Sequence, residues 1–215
     1  MSELKNRVAV MLTLQDEMNR RVDDDWREHR RAFWRAIWIE CAELMDHYGG
    51  WKWWKHSDCD AEQVLLEIVD IWHFGLSIRL ARHADLDAAA AEIAAELAYP
   101  KRFGSFHEGV EALARTALND RDLAFSAVPF LLEDLGRSLD DLYASYVGKN
   151  VLNVFRQDHG YREGSYRKTW SDGREDNEHL AEIVAALDLS VPDPRPLVRA
   201  ALEARYTEAA DGSPG

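Results

Sequence analysis

The chain has 215 residues, 47% hydrophobic and 30% charged, which is enough for one domain with a full core, and its formal net charge is −13. That acidity argues against general binding to nucleic-acid polymers or anionic membranes, since both rest on positive surface. The longest uncharged run, residues 123–132, is too short to span a bilayer. Cys41 and Cys59 form neither a C-x-x-C nor a disulfide framework, and the charged first twenty residues do not read as a signal peptide, so a reducing cytoplasm is expected.

Leu4, Val8, Met11, Leu12, Met18 and Val22 recur at helical spacing and predict a first helix over 3–22. Asp23-Asp24-Asp25 suits the cap of a second helix, expected from about Trp26 to Tyr48 and ended by Gly49-Gly50. The linker that follows, Trp51-Lys52-Trp53-Trp54-Lys55, holds three of the eight tryptophans. Such a run either packs down as a plug or lines a pocket. Asp58 or Asp60 caps a third helix that continues through His73 and Phe74 towards Arg82. An Ala-rich helix is expected over 86–98, ended by Tyr99-Pro100, and two more over 105–118 and 121–135, the latter kinked or divided at Pro129. Residues 85–135 carry no recognisable chemistry and read as a variable helical insert. A helix from Leu139 to His159 leads into a Gly- and Tyr-rich loop over 160–174. Helices over 175–187 and 195–208 flank Val191-Pro192-Asp193-Pro194, and residues 211–215 read as a disordered tail. No segment has strand periodicity. The expectation is an all-α helical bundle, a single domain over residues 1–210.

Two helices stand out. Glu40-x-x-Glu43 is answered 27 residues later by Glu67-x-x-Asp70, each pair projecting two carboxylates from one helix face. The apolar stripe Trp34, Ile37, Trp38, Cys41, Leu44, Met45, Tyr48 recurs, shifted by 27, as Ala61, Val64, Leu65, Ile68, Ile71, Trp72, Gly75. The two acidic pairs therefore sit at the same angle to their stripes, and neighbouring helices would bring four carboxylates together. Such a group raises its own pKa values unless a cation lies between its members, and an all-oxygen set suits Mg²⁺, or Mn²⁺, better than iron. A ferritin-like di-iron site would need Glu-x-x-His on two helices. Here His47 falls four residues after Glu43, and His73 reads as a packed or hydrogen-bonded side chain.

Residues 149–174 carry a local charge of +3 in a remainder of −16. Lys149, Asn153 and Arg156 fall on one helical stripe, and Tyr161 and Lys168 follow on the Gly-rich loop, a set suited to gripping phosphate. A metal on one side and cations on the other suit in-line attack of a metal-activated water on a phosphoanhydride.

E-x-x-E at 40–43, W-K-W-W-K at 51–55, E-x-x-D-I-W-H-F at 67–74, and K-N-x-L-N-x-F-R-Q-x-x-G-Y-x-x-G-x-Y-x-K-x-W from Lys149, followed by Glu175-Asp176-Asn177, resemble in this order the dimeric, all-α dUTPases. These belong to the all-α nucleoside triphosphate pyrophosphohydrolase superfamily, and the resemblance runs from about Leu12 to Asn177. It implies a homodimer that hydrolyses dUTP, and dUDP, to dUMP, with attack at the β-phosphorus. Glu40, Glu43, Glu67 and Asp70 would bind Mg²⁺, with Glu40 and Glu43 as the catalytic pair and the water activated at Glu40. Lys149, Asn153, Arg156, Tyr161, Lys168 and Asn177 would hold phosphates and help close the site. Gln15 and Asn19 would meet base and sugar, Phe74 would stack on uracil, and a tryptophan such as Trp54 would line the base pocket. Two alternatives keep the scaffold: a dCTP-preferring or broad relative with the same metal residues, and a catalytically silent nucleotide-binding protein.

Overall fold

The computed structural model describes residues 3–186 and 194–211, and the chain divides into two units, Met1–Tyr143 and Ala144–Gly215. Every regular element among these residues is helical, so the all-α expectation holds. No described helix is long and apolar enough to cross a membrane.

In the first unit α1 is Glu3–Val22, α2 Phe33–Tyr48, α3 Ala61–Arg82, α4 Leu86–Leu97, α5 Phe106–Asp120 and α6 Val128–Asp134. Helix α3 is the axis. Asp60 caps it, its carboxylate accepting from Gln63 N at 3.2 Å, and nearly every residue from Val64 to Leu80 is buried. Helices α1 and α2 pack on α3, α4 on α1, and α5 on α2. The two helices share the acidic phase but not the degree of cover: α2 keeps an exposed face, whereas α3 is covered on several sides, and each large apolar side chain it buries contributes about 2 kcal/mol. Gly75 makes one such cover possible: a Cβ there would lie 2.2 Å from Leu123 Cδ2 and 3.1 Å from the Phe125 ring.

Helix α2 starts at Phe33, not at Trp26. Trp26 has the spacing of a helical stripe, but it is buried as the anchor of a turn, edge-on to Phe33 at 6.0 Å. Asp23, expected at a helix cap, instead accepts from His29 at 2.7 Å and Arg31 at 2.8 Å, closing that turn. Pro129 divides its segment as expected. A 3-10 turn at Phe125–Ala127 precedes α6, and the proline sits in the first turn of that helix, where a missing N–H costs nothing. The W-K-W-W-K loop is no plug: Trp53 is 89% and Trp54 61% exposed, and their rings meet each other at 5.5 Å.

The boundary between the units falls inside α7, Leu139–Asp158, and the second unit adds α8, Asp176–Ala186, and α9, Arg195–Asp211. Its core joins Val151, Leu152, Phe155, Trp170, Leu180, Ile183, Val198 and Leu202. Residues 191–193 of the expected break and 212–215 of the expected tail lie outside the described residues, whereas Asp211 ends α9 rather than opening the tail.

Candidate active site

Glu40 on α2 and Glu67 and Asp70 on α3 each offer an oxygen, and these atoms lie within 4.8 Å of one another. Helical spacing puts Glu67 and Asp70 on one face of α3, and packing of α2 on α3 brings Glu40 to them. Burial, the charges of Asp70, Glu67 and Glu43, and a hydrogen bond with Glu67 push the Glu40 carboxyl up from 4.5 to about 8. Three hard oxygen donors whose mutual repulsion keeps one of them protonated are a set that a divalent cation fits. Glu43 differs from the other three: it is exposed and lies outside the 4.8 Å group, although its charge reaches Glu40. His47 Nε2 stands 3.8 Å from Glu67 Oε1.

Further along α3 a chain of polar side chains crosses to α1. His73 Nδ1 meets Gln15 Oε1 at 2.6 Å, Gln15 Nε2 donates to Asn19 Oδ1 at 3.0 Å, and Asn19 Nδ2 donates to Ser77 Oγ at 3.0 Å. Gln15, His73 and Ser77 are buried, and Asn19 is half-buried. His73 is thus a hydrogen-bonded side chain, as its position in the sequence indicated. Phe74 stacks on Phe33 with centroids 6.4 Å apart, and Trp54 stays in the exposed aromatic loop. Glu67, Asp70, Phe74 and Ser77 share one face of α3, and the seven helical steps from Asp70 to Ser77 span roughly 10 Å along the axis.

In the second unit the basic stripe of α7 is bound internally. Arg156 forms a two-pronged pair with Asp176, Nε at 2.8 Å and Nη2 at 2.7 Å, and Asp176 is fully buried. Lys149 Nζ and Arg156 Nη2 both donate to Asn177 Oδ1, at 3.0 and 3.2 Å, and Arg156 Nη1 donates to Asn153 Oδ1 at 3.4 Å. The Arg156 guanidinium lies 6.0 Å from the Tyr161 ring centroid. Lys168 pairs with Glu175 at 2.9 Å beside a single antiparallel bridge, Thr169 to Glu175, that folds the loop back towards α8. The turn out of α7 requires Gly160, where φ is +86° and a Cβ would meet Ser165 Oγ at 2.0 Å. Lys149, Asn153, Arg156 and Asn177 therefore form one hydrogen-bonded cluster.

Two residues in these clusters escaped sequence reasoning. Asp176 belongs to a recognised motif, but nothing in spacing shows that it would bind the Arg156 fork and accept the Tyr166 hydroxyl proton at 2.7 Å. Ser77 lies one helical turn after His73, the one signal the sequence offered for it, and its partner Asn19 is 58 residues away.

Comparison with known proteins gives one family: the sequence model described as dUTPase matches residues 7–161. No curated protein matches the chain.

Proposed function

The chain belongs to the all-α dimeric dUTPase family and is a dUTP diphosphatase, and from that premise we propose a Mg²⁺-dependent enzyme that converts dUTP and dUDP to dUMP. One observation carries the reading: three carboxylate oxygens gathered within 4.8 Å, and an amide-rich polar chain roughly 10 Å further along the same face of α3. A nucleotide has the same two ends, phosphates that need a cation and a base that needs hydrogen bonds.

In this reading Glu40, Glu67 and Asp70 hold the cation, with Glu43 beside them. Bound there, Mg²⁺ or Mn²⁺ supplies the Lewis acidity that neutralises phosphate charge and makes water nucleophilic near neutral pH. Glu40 takes the proton of the attacking water, a role open to it once a cation between the carboxylates has displaced the proton it otherwise keeps. Lys149, Arg156 and Lys168 neutralise phosphate oxygens, while Asn153, Tyr161 and Asn177 orient them. Asp176 holds the Arg156 fork in place. Gln15 and Asn19 meet the base and sugar, Phe74 stacks on the ring, and Trp54 of the exposed loop lines the base pocket. The enzyme works as a homodimer. Trp38 and Ile39, 40% and 44% exposed on α2, give it apolar surface for a second copy to cover.

The test is a substrate panel of dUTP, dUDP, dCTP, dTTP and UTP with Mg²⁺, Mn²⁺ or EDTA, following dUMP and pyrophosphate or phosphate. The expected result is hydrolysis of dUTP and dUDP that stops in EDTA. Equal or better turnover of dCTP, or full activity without a divalent ion, overturns the proposal.

A further inference from the structure

The polar chain between α1 and α3 has a direction, and its fixed end is a backbone carbonyl. Ser77 Oγ donates to His73 O at 3.0 Å. A serine hydroxyl has one proton, so with that proton spent Ser77 Oγ can only accept from its other neighbour, Asn19 Nδ2, at 3.0 Å. Asn19 therefore turns its nitrogen to Ser77 and its oxygen to Gln15 Nε2, 3.0 Å away. Gln15 in turn presents its oxygen to His73 Nδ1 at 2.6 Å, which places a proton on that ring nitrogen. The reversed chain would need Ser77 to turn its single proton away from His73 O and towards the Asn19 amide oxygen, leaving the carbonyl without it.

We propose that Ser77 is a positioning residue that makes Asn19 a hydrogen-bond donor and so sets the preference of this site for uracil over cytosine. The inference rests on the reading above, in which Asn19 meets the base. The oxygen of Asn19 accepts from Gln15 at 3.0 Å and has Ser77 Oγ beside its other lone pair at 3.5 Å, and one N–H goes to Ser77, so the group Asn19 holds out for a ligand is its second N–H. At C4 uracil carries a carbonyl oxygen, which accepts that N–H. Cytosine carries an amino group there, and two donors facing each other in a half-buried site leave both unsatisfied. Without the Ser77 hydroxyl the fixed end of the chain is lost, and the amides of Asn19 and Gln15 can turn over together, with the His73 proton moving to its other ring nitrogen, so that Asn19 offers its oxygen to the amino group instead.

The experiment measures kcat/KM for dUTP and dCTP in the wild type, Ser77→Ala and Ser77→Thr. Ser77→Ala is expected to lower the dUTP/dCTP ratio by on the order of tenfold or more, chiefly through KM, because it frees the amide of Asn19 without touching the carboxylates. Ser77→Thr, which keeps the hydroxyl, is expected to keep the wild-type ratio. Should Ser77→Ala fail to fold, Asn19→Asp replaces the donor by an acceptor at a half-buried position and shifts the ratio the same way. A wild type that turns over neither nucleotide overturns the functional reading. A selective wild type whose Ser77→Ala or Asn19→Asp variant keeps full selectivity overturns the assignment of Ser77 alone.

Discussion

Replacing Glu40 by glutamine separates what this carboxyl does for catalysis from what it costs the fold. In the folded, metal-free protein its pKa is about 8, against an ordinary 4.5, because of burial and the charges of Asp70, Glu67 and Glu43. The folded state thus keeps a proton that the unfolded chain loses above about 4.5. Stability must fall as the pH climbs from about 4.5 to about 8 and stay level beyond. Taken at full value, at about 1.4 kcal/mol per tenfold, the loss approaches 5 kcal/mol. The carboxyl is partly open to water, and screening brings the figure down to on the order of 3 kcal/mol. Glutamine has nearly the same shape and does not ionise, so in EDTA Glu40→Gln should be more stable than the wild type at pH 8 by about that amount and equal to it at pH 4.5. Urea unfolding followed by circular dichroism from pH 4.5 to 8.5, in EDTA and in MgCl₂, reads this directly. Magnesium should stabilise the wild type at pH 8 more than the variant, and the variant should not turn over dUTP. Superimposable stability–pH curves for the two proteins in EDTA would refute the electrostatic argument, and normal turnover by the variant would refute the role of Glu40.

Gly75→Ala puts a Cβ against the buried Leu123 and Phe125 side chains and should destabilise the first unit by about 1–3 kcal/mol, measured as a lowered urea midpoint at unchanged m-value. Asp176→Asn removes the buried partner of Arg156 and of the Tyr166 hydroxyl, and should cost on the order of 3 kcal/mol and raise KM for dUTP. A Michaelis constant unchanged in a correctly folded Asp176→Asn protein would separate Asp176 from phosphate binding.

Helix existence was readable wherever apolar residues keep one period, as in α1 and the body of α2, and stops were readable at Gly49 and Gly160. The start of α2 was not, because Trp26 has the right spacing for a helical stripe yet is held in a turn by contacts to Phe33 that spacing does not encode. The meeting of Glu40 with Glu67 and Asp70 followed from the repeated phase of the two motifs. The separate position of Glu43 did not, since a rotation of a few tens of degrees about the α2 axis decides whether the second carboxylate of an i, i+3 pair points inward.

By itself the sequence determined the helices, the family and the residue types able to carry the chemistry, because periodicity, capping residues and ordered motifs are local properties of the chain. Tertiary structure alone decided which partners those residues have: Asp176 for Arg156, Ser77 for Asn19 and His73 for Gln15. Hydrogen bonds and ion pairs depend on distance in space and on how many protons each atom has to give, and neither quantity is written in the order of the residues.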